Sequence, residues 1–129
     1  MINGSPGFFS IKDKIMSKNV VKAIPIQSVN GSLITTSYQL FDADGLPEAC
    51  FYLKILNDCD KDILISYDGT NDNDVALDNT TVNNKIEINV QQGSRPNNNV
   101  CLFPKGQKIY VKGSGGTSGT VYLIAYYQI

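Results

Sequence analysis

Histidine and tryptophan are absent from the 129-residue sequence, arginine occurs once (Arg95), and only two glutamates stand against ten aspartates. Without histidine there is no Ser-His-Asp or Cys-His relay, no imidazole base poised near neutral pH and no His-containing zinc site. Catalysis would have to run on Asp, Lys or Tyr alone, and no spacing selects a pair of them. We therefore expect no enzyme, no catalytic residue and no cofactor. An excess of charge is missing too, since 11 basic and 12 acidic residues leave a net charge of −1. A nucleic-acid binder would show clustered Lys and Arg and a pI above about 9, so no nucleic-acid partner is expected. No run approaches the roughly 20 apolar residues of a membrane helix. The N-terminus has no basic segment followed by a continuous apolar run, the pattern of a secretory signal, and Met1 reads as the start of a complete small gene product. Cytoplasmic synthesis without a membrane partner is the corresponding expectation. Cysteine is scarce and odd in number, at Cys50, Cys59 and Cys101, without CxxC or zinc spacing. Free thiols are expected, with Cys50 and Cys101 buried in apolar runs as small hydrophobes.

What is present is a core. Hydrophobic residues make up 42% of the chain, enough for one globular domain of ordinary size. Residues 1–18 read as a short N-terminal arm and residues 19–129 as the domain. In the arm, the turn formers Asn3 to Gly7 precede Phe8, Phe9, Ile11, Ile15 and Met16 near helical spacing, with Ser10 placed as an N-cap. A helix of two or three turns is marginal alone in water. Those five side chains are therefore candidates for an attachment arm that docks on the parent domain or on another chain.

From Val20 onward the pattern is β. Strands are expected near residues 20–27, 32–40, 49–57, 63–67, 85–90, 100–103, 108–112 and 120–127, each short, rich in Val, Ile, Tyr, Phe and Thr, and bounded by Gly, Pro, Asn or Asp. Ile86, Ile88 and Val90 alternate with Lys85, Glu87 and Asn89, as a half-buried antiparallel strand requires. Phe51, Leu53 and Ile55 should point inward. Asn30-Gly31 predicts a two-residue hairpin. No segment has the length and period of a crossover helix, so the expected fold is an all-β antiparallel sandwich, jelly-roll or immunoglobulin-like, of about seven or eight strands.

The last strand is apolar on both sides. Val121, Leu123, Ala125 and Tyr127 share one face, and Tyr122, Ile124 and Tyr126 the other. A sandwich strand has one face covered by its own domain, and tyrosine suits a contact that is apolar at the ring and wet at the hydroxyl. Tyr122, Ile124 and Tyr126 are thus the candidate subunit interface, to be covered by the arm or by a neighbouring copy.

Other constellations carry less. The acidic groups Asp58/Asp60/Asp62, Asp42/Asp44 and Asp68/Asp72/Asp74/Asp78 suggest calcium, but the first has Ile63 where an EF-hand loop has glycine and lacks its closing Glu. Asp is also a standard turn former, so no metal site is expected. The segment from Gly113 to Gly119 runs into a strand rather than a helix and reads as a hairpin tip, not a phosphate loop. Lys108 and Lys112 read as protection of a sheet edge.

The run Ile65-Ser66-Tyr67-Asp68-Gly69, then Phe103-Pro104-Lys105-Gly106, Ile109-Tyr110-Val111-Lys112-Gly113, Gly119-Thr120-Val121-Tyr122-Leu123 and Ala125-Tyr126-Tyr127 resembles small β-sandwich virion structural proteins of tailed bacteriophages. The likeness covers about half the chain and rests on turn and strand grammar. It implies a particle component, in the auxiliary capsid, a head fibre or the neck and tail, that forms a homo-oligomer such as a trimer and binds other virion proteins. It brings no catalytic residues. The alternative expectation is a carbohydrate-binding sandwich module of a tail or fibre, in which tyrosine would do the stacking.

Overall fold

The computed structural model describes residues 20–90 and 102–129. The proposed arm residues Phe8, Phe9, Ile11, Ile15 and Met16 lie outside them, as do Val100 and Cys101. Among the described residues there are nine strands: β1 (Val21–Ala23), β2 (Gln27–Asn30), β3 (Gln39–Leu40), β4 (Tyr52–Cys59), β5 (Ile63–Ser66), β6 (Asp74–Ala76), β7 (Lys85–Asn89), β8 (Tyr110–Gly113) and β9 (Gly119–Gln128). They form two antiparallel sheets. Sheet A has the order β1-β9-β4-β7, with β2 also paired to β9, and sheet B the order β3-β8-β5-β6.

The pairing pattern has a simple origin. β2 pairs with β9, β3 with β8, β4 with β7 and β5 with β6, as in one long hairpin whose tip is the β5–β6 turn. Wrapping that hairpin brings β4 beside β9 and β5 beside β8, which joins the halves into two sheets. This is the strand order of a jelly roll, with β1 added at one edge, and it distinguishes between the two sandwich types left open by the sequence.

The alternating residues of the long central strands make the core. Leu53, Ile55 and Cys59 of β4 and Val121, Leu123 and Ala125 of β9 face Ile63, Ile65, Ala76 and Val111 of sheet B, all fully buried. Ile24, Ile34, Leu46 and Cys50 close its margins. Each large aliphatic side chain in this layer stabilises the fold by roughly 1.5–3 kcal/mol through burial. Phe51 is also buried, outside the core cluster that holds Leu53 and Ile55, and β7 shows the expected alternation of half-buried Ile86 and Ile88 with exposed Lys85, Glu87 and Asn89.

Buried Asn57 breaks the apolar run of β4. Its Nδ2 donates to the carbonyls of Lys61 (2.9 Å), Ala76 (3.2 Å) and Leu77 (2.9 Å), and its Oδ1 accepts from the Cys59 amide at 3.0 Å. One side chain thereby ties β4, the β4–β5 turn and β6 together.

Several sequence expectations need correction. The segment 20–27 is not one strand: Pro25 has no amide hydrogen to donate, and β1 and β2 pair separately with the two ends of β9. Asn30-Gly31 is not a hairpin. Asn30 caps a 3₁₀ turn, Gly31–Leu33, by accepting the Ser32 amide at 2.9 Å, and the chain then crosses to the other sheet. Gly31 is needed for close approach, since a Cβ there would sit 3.0 Å from the Gly119 carbonyl oxygen. Of residues 32–40 only Gln39 and Leu40 are strand. In the segment 100–103, Phe103 makes an isolated bridge to Cys50, with both amide–carbonyl bonds at 2.8 Å. β6 was not expected at all; it lies within the polar stretch between Asp68 and Asn84.

Candidate interaction face

The outer face of sheet A collects the proposed interface residues. Tyr122, Ile124 and Tyr126 of β9 lie opposite Leu56, Lys54 and Tyr52 of β4, respectively, so the six side chains form three cross-strand rows. The rows extend to Lys85, Glu87 and Asn89 on β7, and to Ala23 and Ser28 on the β1/β2 edge. The Tyr52 and Tyr126 rings stack with centroids 5.1 Å apart and planes 18° from parallel. Tyr126 is 37% exposed and Val21, further along the same face at the edge, is 56% exposed. The sequence pointed to the β9 half of this face. Tyr52 and Leu56 hold the outward parity of β4, opposite the inward Phe51, Leu53 and Ile55, and with Lys54 between them that parity reads in sequence as a solvated face.

The Tyr52 hydroxyl donates to Glu87 Oε2 at 2.6 Å. That bond raises the Tyr52 pKa to about 12 and lowers that of Glu87, because it stabilises the phenol and the carboxylate together. Tyr52 is thereby fixed in orientation, with its ring beside Tyr126 and its polar end at the rim. The arrangement offers rigid aromatic area at low side-chain entropy cost, the property that makes tyrosine useful in protein contacts.

The acidic clusters hold turns. Asp68 accepts from the amides of Thr70 and Asn71 at 2.8 Å, from Asn71 Nδ2 at 2.9 Å and from the Ser66 hydroxyl at 2.9 Å, and these bonds, led by the Asn71 amide, hold its pKa far below the usual range. Asp42 accepts the Asp44 amide at 2.8 Å, Asp60 the Ser118 amide at 2.9 Å, and Asp62 the Asp78 amide at 2.9 Å. Among the described residues no three acidic or cysteine side chains converge into a metal-binding group.

The glycine-rich connection before β9 is shaped by contact as well as by freedom. Gly119 has φ +106°, and a Cβ there would come within 2.2 Å of the Asp58 carbonyl oxygen. Lys112 does not guard a sheet edge. β8 lies inside sheet B between β3 and β5, and the Lys112 ammonium sits 3.1 Å from Asp72 and 4.7 Å from the centre of the Tyr38 ring, whose hydroxyl donates to Asp72.

Cys50 and Cys59 are buried free thiols, and desolvation raises both pKa values to about 11. A neutral buried thiol is a poor nucleophile, so neither has the environment of a reactive cysteine.

Comparison of this chain with protein-family models, with curated proteins and with solved structures finds no match.

Proposed function

We propose that the chain is a structural subunit of a bacteriophage particle, an auxiliary capsid or head-fibre component that self-associates and binds other virion proteins. The observation that carries this reading is the outer face of sheet A. There the two central strands present Tyr52, Leu56, Tyr122, Ile124 and Tyr126 on the side away from the core, where a solvated sheet would carry mostly polar side chains. A second copy seated on this face would remove the apolar rows from water and leave Lys85 and Glu87 of edge strand β7 at a polar rim, the usual anatomy of a protein contact, with Lys54 in the middle row beside Glu87. The jelly-roll order is shared by viral capsid and lectin domains, which supports the reading by fold analogy alone. The resemblance of the C-terminal half to phage virion proteins points the same way.

Light scattering coupled to size exclusion over a wide concentration range tests the assembly step. A discrete homo-oligomer is expected; a monomer at every concentration would overturn the reading. Glycan binding by that monomer would favour the carbohydrate alternative.

A further inference from the structure

The outer face of sheet B differs in character from that of sheet A. Leu64 and the 51% exposed Val75 are register partners on β5 and β6, pointing away from the core that holds Ile63, Ile65 and Ala76. They form the apolar floor of an open groove of about 550 Å³, lined also by Asp60, Lys61, Asp62 and Asp78. Hydrogen bonds from the amides of Ser118 and Asp78 and from Thr80 hold these three carboxylates in place. Lys61 is turned to the Gly115 carbonyl at 3.1 Å. The same floor continues into a second concavity lined by Asp72 and Asp74. Around the apolar Leu64 and Val75 stand Asp60, Asp62, Asp72, Asp74 and Asp78 against Lys61 and Lys112, the latter paired with Asp72, so the groove end at Asp60, Asp62 and Asp78 is negative.

The chain carries a segment of matching chemistry. Between Ile11 and Lys18 the arm places Lys12, Lys14 and Lys18 among Ile11, Ile15 and Met16, with Asp13 as its only acid. We propose that this basic, apolar segment of one copy docks in the Asp60/Asp62/Asp78 groove of a second copy. The proposal rests on the reading that copies of the chain associate, and it names a contact separate from the sheet A face.

Chain length decides between the chain's own arm and a neighbour's. The arm joins the domain at Val20, whose carbonyl accepts the Ile129 amide at the end of β9. The groove lies at the other end, where Asp60 exchanges hydrogen bonds with Ser118 just before β9 begins. The nine residue-to-residue steps of the 10-residue β9 span about 31 Å, and the groove is on the outside of the opposite sheet, offset across the sandwich by at least about 10 Å. Fully extended, the backbone at Ile15, five residues from Val20, reaches at most about 18 Å, at Lys14 about 22 Å and at Lys12 about 29 Å. Only the Lys12 side chain could approach the groove, while Lys14, Ile15, Met16 and Lys18 fall well short. The groove is out of range of its own Lys14–Lys18 segment and open to that of another copy. Such a contact joins two different surfaces and can close as a twofold dimer with reciprocal arm exchange or run head-to-tail into a ring or filament.

Zero-length carbodiimide cross-linking of the full chain, with ¹⁴N and ¹⁵N copies mixed, reads this directly. Mixed-isotope cross-links from Lys12, Lys14 or Lys18 to Asp60, Asp62 or Asp78 are expected. Their absence, or cross-links within single copies only, would overturn the proposal. A second measurement uses a fluorescent peptide of residues 1–19 and, as receptor, the full chain carrying Lys12→Glu, Lys14→Glu and Lys18→Glu. Saturable binding at low salt is expected, at least fivefold weaker when Asp60, Asp62 and Asp78 are changed to Asn, weaker with Val75→Ser and unchanged with Tyr126→Ser. Equal binding to the Asn variant, or loss with Tyr126→Ser instead, would sink it. The peptide assay does not use the sheet A face, so the arm contact and the sheet A association fail or survive separately.

Discussion

Tyr52 and Tyr126 stack 5.1 Å apart on the outer face of sheet A, with the Tyr52 hydroxyl bound to Glu87 on the neighbouring strand. The pair is a fixed apolar platform at one end of the face proposed to join copies of the chain. Replacing Tyr126 by Asp should shift the protein from oligomer to monomer in sedimentation velocity. The cost to the isolated fold should be about 1 kcal/mol, the value of one aromatic pair. An oligomer that persists with both Tyr126→Asp and Ile124→Asp would show that copies meet elsewhere.

Asn57→Ala should be among the most damaging single changes in the domain. It leaves the buried carbonyl of Ala76 and the half-buried carbonyls of Leu77 and Lys61 without their donor and the buried Cys59 amide without its acceptor. Unsatisfied buried polar groups cost about 1–3 kcal/mol each, reduced where water can enter, so a loss of about 3 kcal/mol or more is expected. Urea denaturation measures it as a fall in midpoint at constant slope. A loss under about 1 kcal/mol would mean that the β4–β6 connection does not depend on this side chain.

The parts of the fold with strict two-residue periodicity were legible in the sequence. β7 with Ile86 and Ile88, β4 with Leu53 and Ile55, and β9 with its two apolar faces all lie close to their expected positions, because a half-buried strand must alternate. What failed depended on distant partners. Asn30-Gly31 has the local chemistry of a tight hairpin, yet Gly31 is packed against the Ser118–Gly119 backbone and the chain turns to the opposite sheet. β6 has three residues and one buried side chain, Ala76, so its strand character comes from pairing with β5 rather than from its composition. The candidate face was half legible for the same reason. Tyr126 could be read from its own strand, whereas Tyr52 became its partner only through the β4–β9 register.

Acid should weaken the fold through its turn aspartates. Asp68, Asp60, Asp72, Asp78 and Glu87 all have pKa values lowered by hydrogen bonds in the folded chain. In the unfolded chain they return to about 4, so the unfolded state takes up protons first as the pH falls. Their stabilisation is present above about pH 4 and is lost below it, as the pH falls through the folded values. Thermal melts between pH 7 and pH 2 should show this decline. In Asp68→Asn the melting temperature should be lower at pH 7 and its decline shallower; an acid limb as steep as in the parent would exclude Asp68 as a contributor.

Alkali should act through the thiols with the opposite sign. Burial raises Cys50 and Cys59 to about 11, above their unfolded value near 9. The stabilisation is complete below about pH 9 and is lost as the pH rises toward 11, because the unfolded chain ionises first. At pH 8 both thiols should resist a disulfide reagent in the folded protein and react promptly in urea, with peptide mapping identifying the sites. Rapid labelling of either residue in the native state would mean that its cover opens locally.

Thr117 offers a gain in stability. Its residue is 5% exposed and its hydroxyl, buried in the glycine-rich connection, has no hydrogen-bond partner among the described residues. Valine has nearly the same shape and no polar group to leave unpaired. Thr117→Val should therefore remove a desolvation penalty without opening a cavity, stabilising the fold by about 1 kcal/mol and raising the melting temperature by a few degrees. The oligomeric state should not change, because the side chain lies within the domain rather than on either proposed contact surface. A fall in melting temperature would show that the hydroxyl has a partner in solution, such as a bound water, and that its apparent isolation is not a source of strain.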